Sequence, residues 1–471
     1  MTIINKEKTV QKIDIFCKRF QQMKTTAIIA EFNPFHNGHK YLIDKAKEQL
    51  DADHIIIIMS GDFTQRGIPA LTDKFSRAQM ALSCGADLVL ELPSSYSLSS
   101  AEYFASGAVS ILTRLGIVDS LFFGSECGDT EILTQIATIL NNESEDFALN
   151  ISRQLKSGDS YALARQKALF TELQDRYSAS YLEEVLSSPN NILGIEYIRA
   201  IQNLGSSIKP YTIARNDNGY HQNSLPITKN HIDYIITDET SDSLISLNNI
   251  KITSTNFTSA NAIRNEIINS PNAFADSTLT ATISQFVPNE VMSVLKKYQE
   301  SKKTFVNIDM FSEYLKYKLN LEYNNGYTEY ADVTEDISNK LKNNLQKFST
   351  ISEFTAILKS KDIAYSRISR CLMHILLNMK QEDLDLYKTA KYPGYARILG
   401  LKKQASHLLK EAKKNSTDDF VIIDKLAKAV QNMDSLSLSY RILQQDIQAS
   451  AIYDLLSGEK RTEYQKEIII Q

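Results

Sequence analysis

The chain has 471 residues, 43% of them hydrophobic and 23% charged, with nine prolines and a formal charge of -4. That length exceeds one ordinary core and implies two or three domains, in a composition that suits a globular, soluble protein. No apolar run approaches the roughly 18 residues needed to cross a bilayer, and the net negative charge argues against indiscriminate nucleic-acid binding while leaving room for a local basic face.

From the N-terminus, residues 1–23 are basic but too polar for a secretory signal and read as an extension, with Met23 a candidate start. Thr26–Ala30 is a short apolar run without polar alternation, the pattern of a strand buried on both faces. His39–Leu50 then has helical periodicity, Ile55–Met59 is a second strand, Lys74–Ser83 a helix and Asp87–Glu91 a third strand. Ser100–Leu115 reads as a helix and Ser120–Phe123 as a fourth strand. Residues 130–188 look helical, followed by a helix at Asn190–Gln202, a fifth strand at Ile208–Ala214, a polar loop at 215–223 and a helix at Thr258–Ile268. This βα rhythm predicts a Rossmann-like α/β fold whose parallel sheet carries helices on both faces and binds ligands at the strands' carboxyl ends. We assign residues 24–275 to this α/β domain and 276–471 to a mainly α-helical domain, with a β-like interlude at Phe305–Ile308 or Met310–Tyr317. Cys17, Cys84, Cys127 and Cys371 form no CxxC pair, which argues against a disulfide scaffold or thiolate zinc site and fits a cytoplasmic protein.

The densest chemistry is EFNPFHNGH, Glu31–His39, directly after the first strand. His36 and His39 flank Asn37–Gly38 where a helix begins, and unpaired N–H groups with the helix dipole favour anionic oxygen there. Imidazoles add donors of adjustable charge. The pattern suits stabilising charge as an oxygen nucleophile attacks an α-phosphorus, with Gly38 allowing close approach of backbone to nucleotide. No third ligand at metal spacing accompanies the histidines, so no protein metal site is assigned. Glu31, ending an apolar strand, should face the crevice or hold a loop.

After the second strand, SGDFTQRG offers Asp62, Gln65 and Arg66 as acetate or phosphate contacts. Lys74 and Arg77 on the next helix either extend that positive field or form its solvated face. FGSECGD follows the fourth strand, with Gly124 open to a ring or ribose and Cys127 read as a passive thiol. In PNNILG, Asn190 and Asn191 suit capping or a base edge; Arg215 suits adenine or phosphate; Ser259 and Arg264, in TSANAIR, suit phosphate at a helix start. Further on, residues 359–414 hold thirteen Lys/Arg against five Asp/Glu. Arg367 and Arg370 share a helical face, and Tyr392, Tyr395, Arg397, Lys402 and Lys403 follow. Basic residues interleaved with tyrosines are what an RNA surface requires, although a plain solvated helical domain has the same composition.

Taken together, IIAEFNPFHNGHKYLIDKAK, MSGDFTQRGIPA, SCGADLVLELP, FFGSECGD, SPNNILGIEYIRAI and YTIARNDNGYH resemble the bacterial tRNA(Met) cytidine acetate ligase family, within the nucleotidyltransferase-like HIGH superfamily. The resemblance spans roughly Thr25 to Lys410. It implies activation of acetate with ATP, expected with Mg2+, to acetyl-AMP, then acetylation of the exocyclic amine of the wobble cytidine in elongator tRNA(Met). It also implies ATP contacts along Ile29, Ala30, Glu31, Phe32, Asn33, Pro34, Phe35, Asn37, Gly38, Lys40, Tyr41 and Leu42, with His36 and His39 among them. Gly124, one of Asn190 and Asn191, and Arg215 complete that implied set. Tyr365–Arg370, His374–Asn378 and Tyr392–Gly400 match the family's RNA-binding part. Departures fall elsewhere: TEDIS stands where TEGLE is usual, Asp362–Ile363 replaces a basic–aromatic pair, and the extension before Met23 has no counterpart. They bear on tRNA recognition, not on adenylation. Two other readings fit the residues: a nucleotidyltransferase adenylating a small cofactor precursor, and a nucleotide-sensing RNA-binding protein without turnover. No membrane or obligatory protein partner is inferred.

Overall fold

The computed structural model describes residues 23–215, 257–270, 274–361, 363–390 and 393–471. The first 22 residues, the polar loop after Arg215, Asp362 and Tyr392 lie outside them. The sheet begins with β1 (Thr25–Ala30), β2 (His54–Ser60), β3 (Leu88–Leu92), β4 (Ser120–Ser125) and β5 (Lys209–Ala214), in the spatial order β3-β2-β1-β4-β5, all parallel. Alternate side chains divide between two cores: Ala27, Ile29, Ile56 and Ile58 enter one, and Ile28, Ile55, Ile57 and Met59 the other. Burial on both faces is why these strands read as unbroken apolar runs. The crossover helices are α1 (Asn37–Leu50), α2 (Lys74–Ser83), α3 (Ala101–Leu115) and α4 (Pro189–Asn203), with four further helices between Thr130 and Ser187. Strand order reverses between β1 and β4, and that switch point is where such sheets open a crevice.

The second half is mostly helical around a third core that includes Leu315, Tyr327, Tyr330, Ile368 and Leu372. α6 (Tyr365–Leu376) belongs to it, whereas α5 (Ala260–Ile268) packs into the sheet core of Ile28 and Ile57. The β-like interlude is helical instead: Ile308–Phe311 is a 3-10 turn leading into a helix at Ser312–Leu321. A strand does arise where the basic composition suggested an RNA surface. β6 (Tyr395–Leu401) is wholly buried and pairs antiparallel with β3, placing Arg397 opposite Glu91; β7 (Val421–Ile423) and β8 (Ile469–Ile470) pair with β6. Among the described residues the sheet thus has eight strands, three of them from the C-terminal half. Among the described residues no helix is long and apolar enough to cross a membrane.

Opposite charges fasten this addition. The fully buried Lys74 ammonium lies 2.7 Å from Glu91 Oε1 and 2.5 Å from Glu463 Oε1, and donates to Ser450 Oγ at 2.9 Å. Arg397 reaches Glu463 Oε1 at 2.8 Å and Glu91 Oε2 at 3.2 Å. Lys466 reaches Glu463 Oε2 at 3.0 Å. Burial alone would raise the Glu463 pKa, but Lys74, Arg397 and Lys466 hold it far below the usual carboxylate range. Ser450 lies on α7 (Leu438–Ser457), so the network joins β3 and α2 to β6, α7 and the C-terminal tail.

Arg397→Ala would leave Glu91 and Glu463 with too few cations, and removing one partner of a buried pair costs about 3–5 kcal/mol. The exposed Arg367→Ala should change stability by no more than about 0.5 kcal/mol. Denaturant midpoints of the two variants decide the comparison, and an Arg397→Ala midpoint equal to wild type would show that the network is dispensable.

Candidate active site

β1 runs into a compact turn. Phe32 adopts positive φ (50°), the Asn33–Pro34 bond is cis, and Phe32 and Phe35 are buried with ring centroids 4.7 Å apart. The side chains of Ile29, Phe32 and Phe35, within the stretch where the resemblance implies ATP contacts, belong to the core, because an apolar side chain gains more from burial than from a wet crevice. Asn33 also turns inward, its Oδ1 accepting from Leu71 N at 2.8 Å. Arg264, on α5, donates to the Asn33 carbonyl and, at 3.0 Å, to Asn261 Oδ1. Burial and the nearby Arg66 charge lower its pKa to about 10, which leaves it cationic at neutral pH. Asn37 fastens the helix start from the other side, donating to Gln285 O at 2.9 Å.

The two histidines cap α1 reciprocally. His36 Nδ1 accepts from Gly38 N at 3.1 Å, and His39 Nδ1 accepts from His36 N at 3.1 Å. Their rings stack with centroids 3.6 Å apart, and His39 rests edge-on against Phe32 at 4.9 Å. Burial, reinforced by Arg215 and Arg264, lowers the His36 pKa to about 3; burial, His36 and Arg215 lower that of His39 well below 6.5. Both rings are therefore neutral at pH 7. With Nδ1 accepting, the single ring proton is on Nε2, so each imidazole is a fixed donor.

A pocket opens at the switch point, lined by Gly38, His39, Tyr41 and Leu42 of α1, Gly124 of β4, Ile213 and Ala214 of β5, then Arg215 and Phe257. A Cβ on Gly124 would come within 3.1 Å of Arg215 Cγ, so the glycine lets that side chain lie across the strand end. Ile213, Ala214 and Phe257 were not singled out from the sequence. Phe257, in edge contact with Tyr41 at 5.7 Å, stands one residue before Thr258–Ser259, and that position beside a helix cap was the available signal. Ser259 caps α5, its Oγ accepting from Ala262 N at 3.1 Å. Lys40 pairs with Asp44 on the outer flank of α1.

Several expected contacts have other partners. Asn191 is fully buried, its Oδ1 accepting from Cys127 N at 3.1 Å and its Nδ2 donating to Val185 O at 3.2 Å, so its amide faces the loop and not a ligand. Asn190 donates to Glu126 Oε1 at 2.6 Å. Together the two asparagines fix the β4–loop junction. Asp62 is buried, accepting from Lys74 N at 2.9 Å and Ser450 Oγ at 2.8 Å, which removes it from any anion contact. Arg397 is buried in its ion pairs and presents nothing to RNA. Lys74 and Arg77 are neither a surface field nor a solvated face; both are fully buried. Cys127 remains a thiol, its pKa pushed up by burial.

Gln65 and Arg66 lie on a loop that reaches toward the basic helix α6. Glu31 Oε1 accepts from Gln65 N at 2.7 Å, Ser369 Oγ donates to Gly67 O at 2.7 Å, and Arg370 Nη1 approaches Gln65 O at 3.4 Å. A Cβ on Gly67, where φ is 74°, would strike Arg370 N at 2.4 Å, so glycine is required there. Arg66 and Arg367 are exposed beside this junction. Lys402 and Lys403 lie at the sheet's opposite edge: Lys402 Nζ is 3.6 Å from Asp87, and Leu401 pairs with Leu88 at the start of β3. The expected RNA residues therefore divide between two edges and the interior.

Comparison with known proteins identifies the family. The HIGH nucleotidyl transferase family model matches residues 23–232 and 245–467. The tRNA(Met) cytidine acetate ligase of Clostridium perfringens is 38% identical over 441 residues, covering 92% of this chain and 96% of that protein. The protein of that name from Clostridium kluyveri is 38% identical over 437 residues, covering 92% and 95%. Among solved structures, Thermotoga maritima TmcAL superposes with TM-scores of 0.81 without ligand and 0.80 with α-thio ATP bound, at 26% and 25% identity, covering 95% of this chain and 99% of that one. The chain belongs to the tRNA(Met) cytidine acetate ligase family of HIGH nucleotidyl transferases.

The neutral histidines carry a pH signature. A folded pKa of about 3 for His36, below its ordinary 6.5, contributes stability that is fully present above pH 6.5 and is lost as pH falls toward 3. His36→Asn keeps a capping acceptor and removes the titration. Its unfolding midpoint should fall less than the wild-type midpoint between pH 6.5 and 4 in urea titrations; parallel curves would place His36 outside this linkage.

Proposed function

We propose that this family member activates acetate with ATP to acetyl-AMP and transfers the acetyl group to the exocyclic amine of the wobble cytidine of elongator tRNA(Met), giving N4-acetylcytidine. The observation that carries the reading is the stacked, neutral His36–His39 pair, of which His39 lines the switch-point pocket together with Arg215. An acetate oxygen attacks the α-phosphorus and pyrophosphate leaves, while His39, with His36 stacked behind it, donates to the developing charge. Mg2+ enters with ATP as part of the substrate; among the described residues no group of three or more His, Cys, Asp or Glu could hold a metal ion. That the Thermotoga relative binds α-thio ATP supports ATP as the nucleotide.

In the second step the cytidine N4 attacks the acetyl carbonyl, the C–N bond forms, AMP leaves and the amine loses a proton. Proximity supplies much of this rate because the acyl group is already activated, and an unpaired anticodon loop presents its base at little unstacking cost. Arg66, Arg367 and Arg370 are the cations we assign to the RNA phosphates. The free thiols of Cys84, Cys127 and Cys371 and the RNA substrate support a cytoplasmic setting.

Incubation with ATP and labelled acetate, with and without bulk tRNA, tests the scheme. Acetyl-AMP in both reactions and label in tRNA support it. Adenylation of other small acids with no transfer to RNA would favour a cofactor-precursor nucleotidyltransferase, and absence of pyrophosphate exchange a binding protein. Within the scheme, His39→Ala should lower acetate-dependent pyrophosphate exchange about 10²-fold, the scale of one transition-state donor, with tRNA affinity retained. Arg66→Ala with Arg367→Ala should weaken tRNA binding and flatten its salt dependence by roughly one unit of slope per lost phosphate contact. Lys402→Ala with Lys403→Ala, at the far edge, should leave that slope unchanged. Filter binding across a salt series reads both.

A further inference from the structure

Arg77 is among the largest side chains in the protein that are fully buried. Its guanidinium is directed at backbone oxygen: Nε donates to Thr72 O at 3.2 Å, Nη1 to Glu31 O at 2.8 Å and Ser60 O at 3.0 Å, and Nη2 to Gly61 O. These carbonyls come from two chain segments. Glu31 opens the turn that carries His36 and His39, whereas Ser60 and Gly61 begin the loop that carries Gln65 and Arg66. Only a planar fork of five N–H donors can meet four carbonyls in fixed directions, so the geometry specifies arginine and not merely a cation.

The two segments touch again above the guanidinium, where Glu31 Oε1 accepts from Gln65 N at 2.7 Å. From there the loop continues to α6 through Ser369 Oγ and Gly67 O at 2.7 Å and through Arg370 and Gln65 O at 3.4 Å. A continuous path of hydrogen bonds thus runs from the histidine turn, across Arg77 and Glu31, to the basic helix. We propose that Arg77 is a positioning residue that holds the adenylating turn and the RNA-facing loop in one register, so that acetyl-AMP is presented to the incoming amine and not lost to water. This rests on the function proposed above. Water is the competing nucleophile: its oxygen attacks the same acetyl carbonyl, the bond to AMP breaks, and acetate and AMP are released with one proton.

The quantity to measure is the ratio of pyrophosphate released to tRNA acetylated, in the full-length protein with ATP, acetate and tRNA. Arg77→Lys keeps the cation and loses the fork. It should raise that ratio about 10-fold over wild type, because a misplacement of about 1 Å already costs a large factor in a proximity-driven step. Ser369→Ala loosens the same path at its RNA end without touching the buried charge, and should raise the ratio about 3-fold, the scale of one neutral hydrogen bond. It decides the matter if Arg77→Lys does not fold. A merely structural role for Arg77 lowers the unfolding midpoint and the amount of active protein but leaves the ratio at the wild-type value. Wild-type ratios in Ser369→Ala and in folded Arg77→Lys overturn this proposal alone. A wild-type protein that acetylates no tRNA overturns the proposed function, and this inference with it.

Discussion

Two buried cations, Lys74 and Arg397, share two buried carboxylates, Glu91 and Glu463, at the carboxyl end of β3. Each charge would be prohibitive there alone and is tolerated only because the others arrive with it. Glu91 comes from the parallel sheet, Lys74 from the helix after β2, Arg397 from β6 and Glu463 from the tail. The network therefore forms only when both halves of the chain are in place. It explains why β6 adds antiparallel at this edge and in this register, since the pairing of Glu91 with Arg397 sets the charges side by side.

From that anchor the functional end of the sheet can be traced outward. Asp62 ties the loop after β2 to the network through Ser450 and to α2 through Lys74 N. Gly61 permits close packing, because a Cβ there would meet Glu91 Oε1 at 2.7 Å. Arg77 then gathers the carbonyls of that loop and of the turn after β1. The pocket lined by His39 and Arg215 lies beyond, at the switch point, so that pocket and the junction of the Arg66 loop with α6 are two margins of one braced surface.

The chemistry of the pocket depends on neutrality. Two protonated imidazoles stacked at 3.6 Å, beside Arg215 and Arg264, would repel one another, and burial adds to that penalty. Holding both rings neutral, with Nδ1 committed to the helix cap, orients two Nε2–H donors without adding like charge. Arrangement ahead of the reaction, and not reorganisation during it, makes such donors effective.

The local pattern determined a good deal. Ala27–Ala30 and Ile55–Met59 are strands because short, unbroken, β-branched runs bury both faces of a parallel sheet, and they appear within a residue or two of where periodicity put them. The His36–His39 turn was legible because strand, glycine and helix start stand next to one another in the chain, and helix capping is a local interaction. Asp62, Lys74, Arg77 and Arg397 were not legible. Whether a charged side chain is a surface contact or a buried brace depends on partners hundreds of residues away, such as Glu463 for Lys74 and for Arg397. For the same reason YARILGL read as part of an RNA-facing stretch: Arg397 and the lysines that follow it look like a basic patch, but the carboxylates that neutralise Arg397 belong to other segments. Periodicity and capping are set between near neighbours, so the sequence by itself determined the five parallel strands, their crossover helices and the histidine turn. Burial of charge is set by the whole packed chain, so only the tertiary structure decided which cations are free to meet a substrate.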